Sequence, residues 1–260
     1  MIIDAHCHLG DWYQFHIPDA SLAMLLATMD RLGIERAIAA PMASLVGEPE
    51  MGLDEGLAAY RESGGRILLY TVFDPRRADS LAFVRRSLGE PAVVGIKIHP
   101  AQHGCPADDD RWRPVWELAA DARVPILTHS WCISDYNPTQ KHAQPALFAR
   151  WVREFPQVAL ILGHAGGRYE GHLAAAKLAS ECPNVYLDLA GDVYSLGLIE
   201  YLVAQVGAER ILYGSDLTWL DPRTQLGMIL DAEIPAAGKA HILRDNAVKL
   251  FGLKTKEVHS

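Results

Sequence analysis

Met1-Ile2-Ile3-Asp4-Ala5-His6-Cys7-His8 opens the sequence, an apolar run that ends in two histidines one residue apart. On a β-strand successive side chains alternate faces, so His6 and His8 share one side while Cys7 turns to the other, into the layer between strand and helix. Two imidazoles side by side at a strand end are half of a metal site. Taken alone the pair is equally a polar strand terminus, and the rest of the chain has to decide.

Working outward from residues 2–8, further strand candidates follow at an even pace at 36–40, 67–73, 93–99, 125–129, 158–164, 185–190 and 211–216. Apolar residues at helical spacing lie between them. Leu22, Leu25, Leu26, Met29 and Leu32 keep the rhythm, with Gly33 where a helix would be capped. Other helices are expected at 54–63, 80–88, 112–122, 145–155, 171–182, 195–206 and 222–232, the last started by Asp221-Pro222. A closing helix is expected near 239–251. The strands VVGIKIH, VALILGH and RILYGSD are apolar on both faces, as in parallel strands covered by helices. Eight β-α units in this length predict a (β/α)8 TIM barrel, a single domain over 1–260, with an open doubly wound sheet as the alternative.

The composition sets the outer limits. A chain of 260 residues, 50% hydrophobic and 22% charged, builds a sizeable core. Net charge −8 without a Lys/Arg cluster argues against nucleic acid as a partner but not against a small anion at a local site. Cys7, Cys105, Cys132 and Cys182 are widely spaced and read as reduced thiols. The sequence contains neither a long uninterrupted apolar stretch nor an opening signal-peptide pattern, so no membrane span is expected and the cytoplasm is the default. Self-association is compatible with a barrel of this size.

In such a barrel the chemistry sits where strands end and βα loops begin. The first strand ends in His6 and His8, the fourth carries Lys97 and His99 on one face, the fifth ends in His129, the sixth in His164 and the eighth in Asp216. A buried, hydrogen-bonded histidine is the commoner fate of any one of them. Converging on one rim, the set points to metal binding.

The ordered pattern IIDAHCH, GIKIHP, LTHS, LGHAGG, YGSD and the closing NAVKLFGL resembles the amidohydrolase superfamily over almost the whole chain, most closely its branch of barrel-fold metal-dependent hydrolases and decarboxylases. The resemblance implies His6, His8, His129 and Asp216 as metal ligands. It places His164 near the reacting water or substrate, or on a second ion. Lys97 falls where two-metal members often carry a carbamylated lysine, whereas the branch commonly uses one metal.

Three imidazoles and a carboxylate suit Zn²⁺, Mn²⁺ or Fe²⁺, with zinc the first choice, as one ion or two. A metal lowers the pKa of a coordinated water from about 15.7 towards about 7, which makes hydroxide available at neutral pH. Asp216 is then the proton carrier and His164 the group that polarises a carbonyl, unless Asp216 is only a Gly-Ser-Asp turn residue. Lys97 has three readings: a carbamate bridging two ions, an ammonium holding a substrate carboxylate, or a salt bridge to an acid such as Asp74 or Asp188.

Loops 11–18 and 131–144 bring aromatic residues, Trp131 among them. With Lys97, His99 and Arg168 they suggest a pocket for a carboxylate-bearing or cyclic small molecule, although Arg168 is equally a helix-start surface residue. The leading expectation is a metal-dependent hydrolase of a small organic ester, lactone or amide. The alternative is a metal-dependent non-oxidative decarboxylase of a small aromatic or unsaturated acid; a non-enzymatic metal-binding barrel is the third reading.

Overall fold

The computed structural model describes residues 1–254, so 255–260 of the expected domain span lie outside the described residues. Eight strands lie side by side in chain order, each parallel to the next. They are β1 (Ile2–Leu9), β2 (Ile34–Pro41), β3 (Ile67–Val72), β4 (Val93–Ile98), β5 (Ile126–Thr128), β6 (Leu160–Leu162), β7 (Val185–Asp188) and β8 (Ile211–Leu212). The segment after β8 returns to β1. Ala5 N–H donates to the Tyr213 carbonyl (2.9 Å), and the N–H groups of Ser215 and Asp216 donate to the His6 carbonyl (3.1 and 3.0 Å). These bonds nearly close a (β/α)8 barrel and exclude the open sheet.

Ile3, Ala5, Ile38, Tyr70, Leu127 and Ile161 belong to the cluster that fills the barrel. Tyr70 reaches across it to donate its hydroxyl to the Ala5 carbonyl (2.7 Å). Gly95 makes the room, because a Cβ there would stand 2.9 Å from the Tyr70 ring. A second, larger cluster lies between strands and helices and contains Cys7, Leu25, Met29 and the fully buried Trp112, Trp116 and Trp151. Each such tryptophan contributes roughly 3 kcal/mol through the area it removes from water.

The first strand departs from simple alternation. Asp4 pairs with Ala37 but Cys7 with Ala39, so β1 carries one residue more than β2 in this stretch. The bulge reverses the phase. Ile3 and Ala5 face the interior, and beyond the bulge Cys7 lies in the outer layer. Unbroken alternation from Ile3 would have sent Cys7 inward and both histidines outward.

Helices lie near the expected positions with shifted ends. Leu22–Leu32 is capped by Ser21, whose Oγ accepts from Met24 N–H (3.2 Å), and by Gly33 at φ 70°. The next long helix starts at Pro49, where proline presets the first-turn geometry, rather than at residue 54. The 145–155 segment opens as a 3-10 turn, Pro145–Phe148, before the helix Ala149–Glu154. The closing segment runs as Ala236–Ala240, a π turn at His241–Asp245, and Asn246–Leu250. Asn246 fastens it by donating to the Ala208 and Ile211 carbonyls (both 2.7 Å), and Phe251 packs against Tyr70 at the end of the barrel away from the histidines. No helix among the described residues is long and apolar enough to cross a membrane.

Candidate metal centre

His6 and His8 are buried at the rim end of β1, and each is fixed through Nδ1. His6 Nδ1 donates to Asp188 Oδ2 (2.9 Å) and His8 Nδ1 to the Ala40 carbonyl (3.1 Å). A carbonyl only accepts, so His8 carries its proton on Nδ1 and presents a bare Nε2; the Asp188 carboxylate sets the same tautomer on His6. Asp188 is itself oriented, since its Oδ1 accepts from the N–H groups of His164 (2.9 Å) and Ala190 (3.0 Å). Burial, and then the Lys97 charge, hold both imidazoles well below their ordinary pKa, so both rings are neutral.

Asp216 completes the corner. Its Oδ1 lies 3.5 Å from His6 Nε2 and 3.3 Å from His8 Nε2, and it is buried with no hydrogen-bond partner. With neutral rings these contacts are not ion pairs. The lone pair of His8 Nε2 and the unpartnered Asp216 Oδ1 converge there with His6 Nε2, which the Lys97 ammonium reaches at 2.8 Å, and an unpartnered buried oxygen is costly unless a cation joins it. The nitrogen–oxygen donor set fits a divalent ion. Both Asp216 (φ 57°) and His164 (φ 61°) hold the left-handed backbone region, which is strained for residues with a Cβ. They therefore sit in turns just past β8 and β6, not on the ladders themselves.

His129 and His164 form a second pair. His164 Nδ1 donates to the Ala190 carbonyl (3.0 Å) and lies 3.6 Å from Asp216 Oδ2. His129 Nε2 donates to Oε1 of the buried Gln140 (2.8 Å). Both rings are neutral, pushed down to about 3 by burial. What remains is His129 Nδ1 facing His164 Nε2 across 3.0 Å, bare nitrogen to bare nitrogen. The structure thus brings His6, His8 and Asp216 into one converging group and leaves His129 beside it, aimed at His164.

Lys97 is the buried cation of this floor. Its Nζ donates to His6 Nε2 (2.8 Å), and burial lowers its pKa to about 8 against the pull of Asp216 and Asp188. It makes no direct salt bridge to Asp188, and Asp74 is taken by Arg76 (2.7 Å). His99 caps the short helix Pro100–His103, its Nδ1 accepting from Gln102 N–H (3.1 Å), and stacks on His129 with ring centroids 4.3 Å apart. Trp131 is buried, parallel to His129 at 5.9 Å and edge-on to His164 at 5.3 Å. Arg168 stands apart: its side chain is 52% exposed, pairs with Asp192 and lies 5.8 Å over Tyr136 at the outer edge.

A cavity of about 480 Å³ opens above this floor. Trp219 stacks on His8 at 3.5 Å and meets Trp12 at 4.7 Å, which makes one wall aromatic. His99, Asn137 and Gln140 add polar groups to the lining. Asp188 and Gln140 as orienting groups escaped the sequence reading. Asp188 ends β7 as His164 follows β6, so the strand-end rule extended to the seventh strand finds it. Gln140 lies in a loop without periodicity and gives no such signal.

The amidohydrolase family model, Amidohydro_2, matches residues 3–253. A search of curated proteins finds no match. Among solved structures, 5-carboxyvanillate decarboxylase from Sphingomonas paucimobilis has TM-score 0.76 at 16% identity, with 97% of this chain and 99% of that one covered. A dihydroxybenzoic acid decarboxylase from Polaromonas sp. JS666, with bound manganese and 2-nitroresorcinol, has TM-score 0.74 at 18% identity over 100% and 99%. An uncharacterised TIM-barrel protein from Bordetella bronchiseptica has TM-score 0.79 at 17% identity over 96% and 98%.

Proposed function

The chain belongs to the amidohydrolase family, and from that premise we propose that it is a metal-dependent decarboxylase of a small aromatic or unsaturated carboxylic acid, working as one domain. The observation that carries this reading is the buried Lys97 ammonium at the foot of a cavity with an aromatic wall, a place for a carboxylate on a flat ring. The activities of two neighbours, on carboxyvanillate and dihydroxybenzoate, support it over the hydrolysis expected first from the sequence.

In this reading His6, His8 and Asp216 hold a divalent ion and His129 joins them through Nδ1. Bound there, the ion supplies Lewis acidity that orients and polarises substrate oxygen atoms. Zinc suits the ligand types, and manganese is the ion of the Polaromonas neighbour. Lys97 and His99 hold the carboxylate end, Trp131 packs beneath His129, and Trp219 with Trp12 flanks the ring. Asp216 carries a proton to the carbon that bears the carboxylate. That C–H bond forms, the bond to the carboxylate breaks, its electron pair returns to the ring and CO₂ leaves. One proton from solvent restores the proton on Asp216.

Hydrolysis of an ester, lactone or amide is the second reading. The facing nitrogens of His129 and His164 favour it, because with a carbamate on Lys97 they would accommodate a second ion. The test is turnover by protein reconstituted with Mn²⁺ or Zn²⁺, on hydroxybenzoates and on lactones. CO₂ release with deuterium from D₂O at the former carboxyl carbon is expected. Water consumption without CO₂, or two ions per chain with a mass increment on Lys97, would overturn the decarboxylase in favour of the hydrolase.

A further inference from the structure

We propose that Gln140 is a positioning residue, whose side-chain oxygen fixes His129 in the tautomer that can bind a metal and so ties the substrate loop 131–144 to the metal centre. The inference rests on the proposed metal-binding role of His129 and adds what controls it.

An imidazole binds a metal through a bare nitrogen, and the proton on its other nitrogen needs an acceptor in a buried site. For His6 and His8 the acceptors are Asp188 and the Ala40 carbonyl, both on barrel strands. For His129 the acceptor is Gln140 Oε1. Gln140 is only 7% exposed, so no water takes its place.

Its backbone is held by the loop's own bonds. Asn137 Oδ1 accepts from Thr139 N–H (3.2 Å) and begins the 3-10 turn Pro138–His142. The Gln140 carbonyl accepts from Ala143 N–H (2.9 Å), and the Ala143 carbonyl from Trp131 N–H (3.0 Å). The same turn lends Asn137 and Thr139 to the cavity wall. A displacement of this loop therefore removes the proton acceptor of His129 together with part of the substrate wall. Without that acceptor His129 carries its proton on Nδ1, where it makes a hydrogen bond to the bare His164 Nε2, and the nitrogen that faces the site is closed. The coupling is reciprocal: an ion on His129 Nδ1 strengthens the Nε2–H bond to Gln140 and steadies the loop.

The full chain with Gln140→Met, Gln140→Glu and His129→Ala tests this. Zn²⁺ and Mn²⁺ affinities are read by competition with a chromogenic chelator, and the Zn²⁺-loaded proteins by imidazole ¹⁵N–¹H resonances. Methionine matches the length of glutamine but offers only a weak thioether acceptor, and is expected to lose about 10–100-fold in metal affinity. It also loses the protected His129 Nε2–H resonance. Glutamate keeps an acceptor and is expected within a few-fold of wild type, with the resonance retained.

Amide exchange over 131–144 is expected to slow when metal binds to wild type and the glutamate variant, and not to the methionine variant. Wild-type affinity in Gln140→Met, or equal loss in Glu and Met variants that both melt cooperatively, overturns the role of Gln140. Wild-type affinity in His129→Ala refutes the ligand reading itself, which keeps the two failures apart.

Discussion

The two histidine pairs of the rim are built differently. His6 and His8 sit on one strand and are oriented by groups on other barrel strands, Asp188 and the Ala40 carbonyl, with Asp216 already facing them. His129 follows directly on β5 and His164 sits in a 3-10 turn past β6; they are oriented by a loop glutamine and the Ala190 carbonyl, and face each other. The first corner is as rigid as the barrel, while the second is as rigid as its loops. A metal should therefore depend most on the first corner for its presence, and on the second for the rest of its affinity through His129 and for its reactivity through His164.

That contrast can be broken most directly by removing the first corner. His6→Ala and Asp216→Asn should each lower metal affinity by more than about 100-fold and abolish turnover, since a ligand costs more than its orienting partner. Metal content by elemental analysis after dialysis checks this; full occupancy in both variants would erase the distinction. Asp188→Asn should be milder, about 10–100-fold in metal affinity, because the His6 ring stays but loses its anionic anchor.

Gly191→Ala probes the second corner. Gly191 holds φ 90°, and a Cβ there would lie 2.6 Å from His164 Nδ1. The displaced imidazole should lower kcat by about 10–100-fold. Metal affinity should change less than in Asp188→Asn, and the reverse order would contradict the division of labour.

Acid tests both corners together. Burial depresses the pKa of His6, His8, His99, His129 and His164, so the unfolded chain binds protons that the folded chain refuses. Stability should be full above about 6.5, the unfolded value, and fall as pH drops toward the lowered folded values, about 3 for His129 and His164. Urea midpoints between pH 7 and pH 4 should show this slope, and Mn²⁺ should raise them by binding the neutral rings of the folded chain. The smallest effect is expected for Arg168→Ala, which removes an exposed pair with Asp192: KM for a carboxylate substrate rises no more than about fivefold with kcat unchanged. A large fall in kcat would place Arg168 inside the site.

Much of this was legible in advance for a plain physical reason. Buried parallel strands must be apolar along their length, so polar residues at their ends stand out: Lys97 marks β4, and His164 and Asp216 follow β6 and β8. Asp188 obeys the same rule at the end of β7, although the sequence alone suggested a partner for Lys97 and not one for His6. The helix ends at Pro49 and Pro145 moved because proline starts turns of more than one kind. Gln140 was not legible at all, since loop residues meet their partners through tertiary geometry.

The sequence by itself determined the barrel, the strand ends that bear the histidines, and the kind of chemistry such donors support, because period and polarity are local properties of the chain. Only the tertiary structure decided which way those donors face. One extra residue in β1 between Asp4 and Cys7 turns His6 and His8 inward, a parity set by pairing with β2. Likewise the proton on each imidazole is placed by an acceptor that the fold brings from far along the chain: Asp188 for His6, Ala40 for His8 and Ala190 for His164.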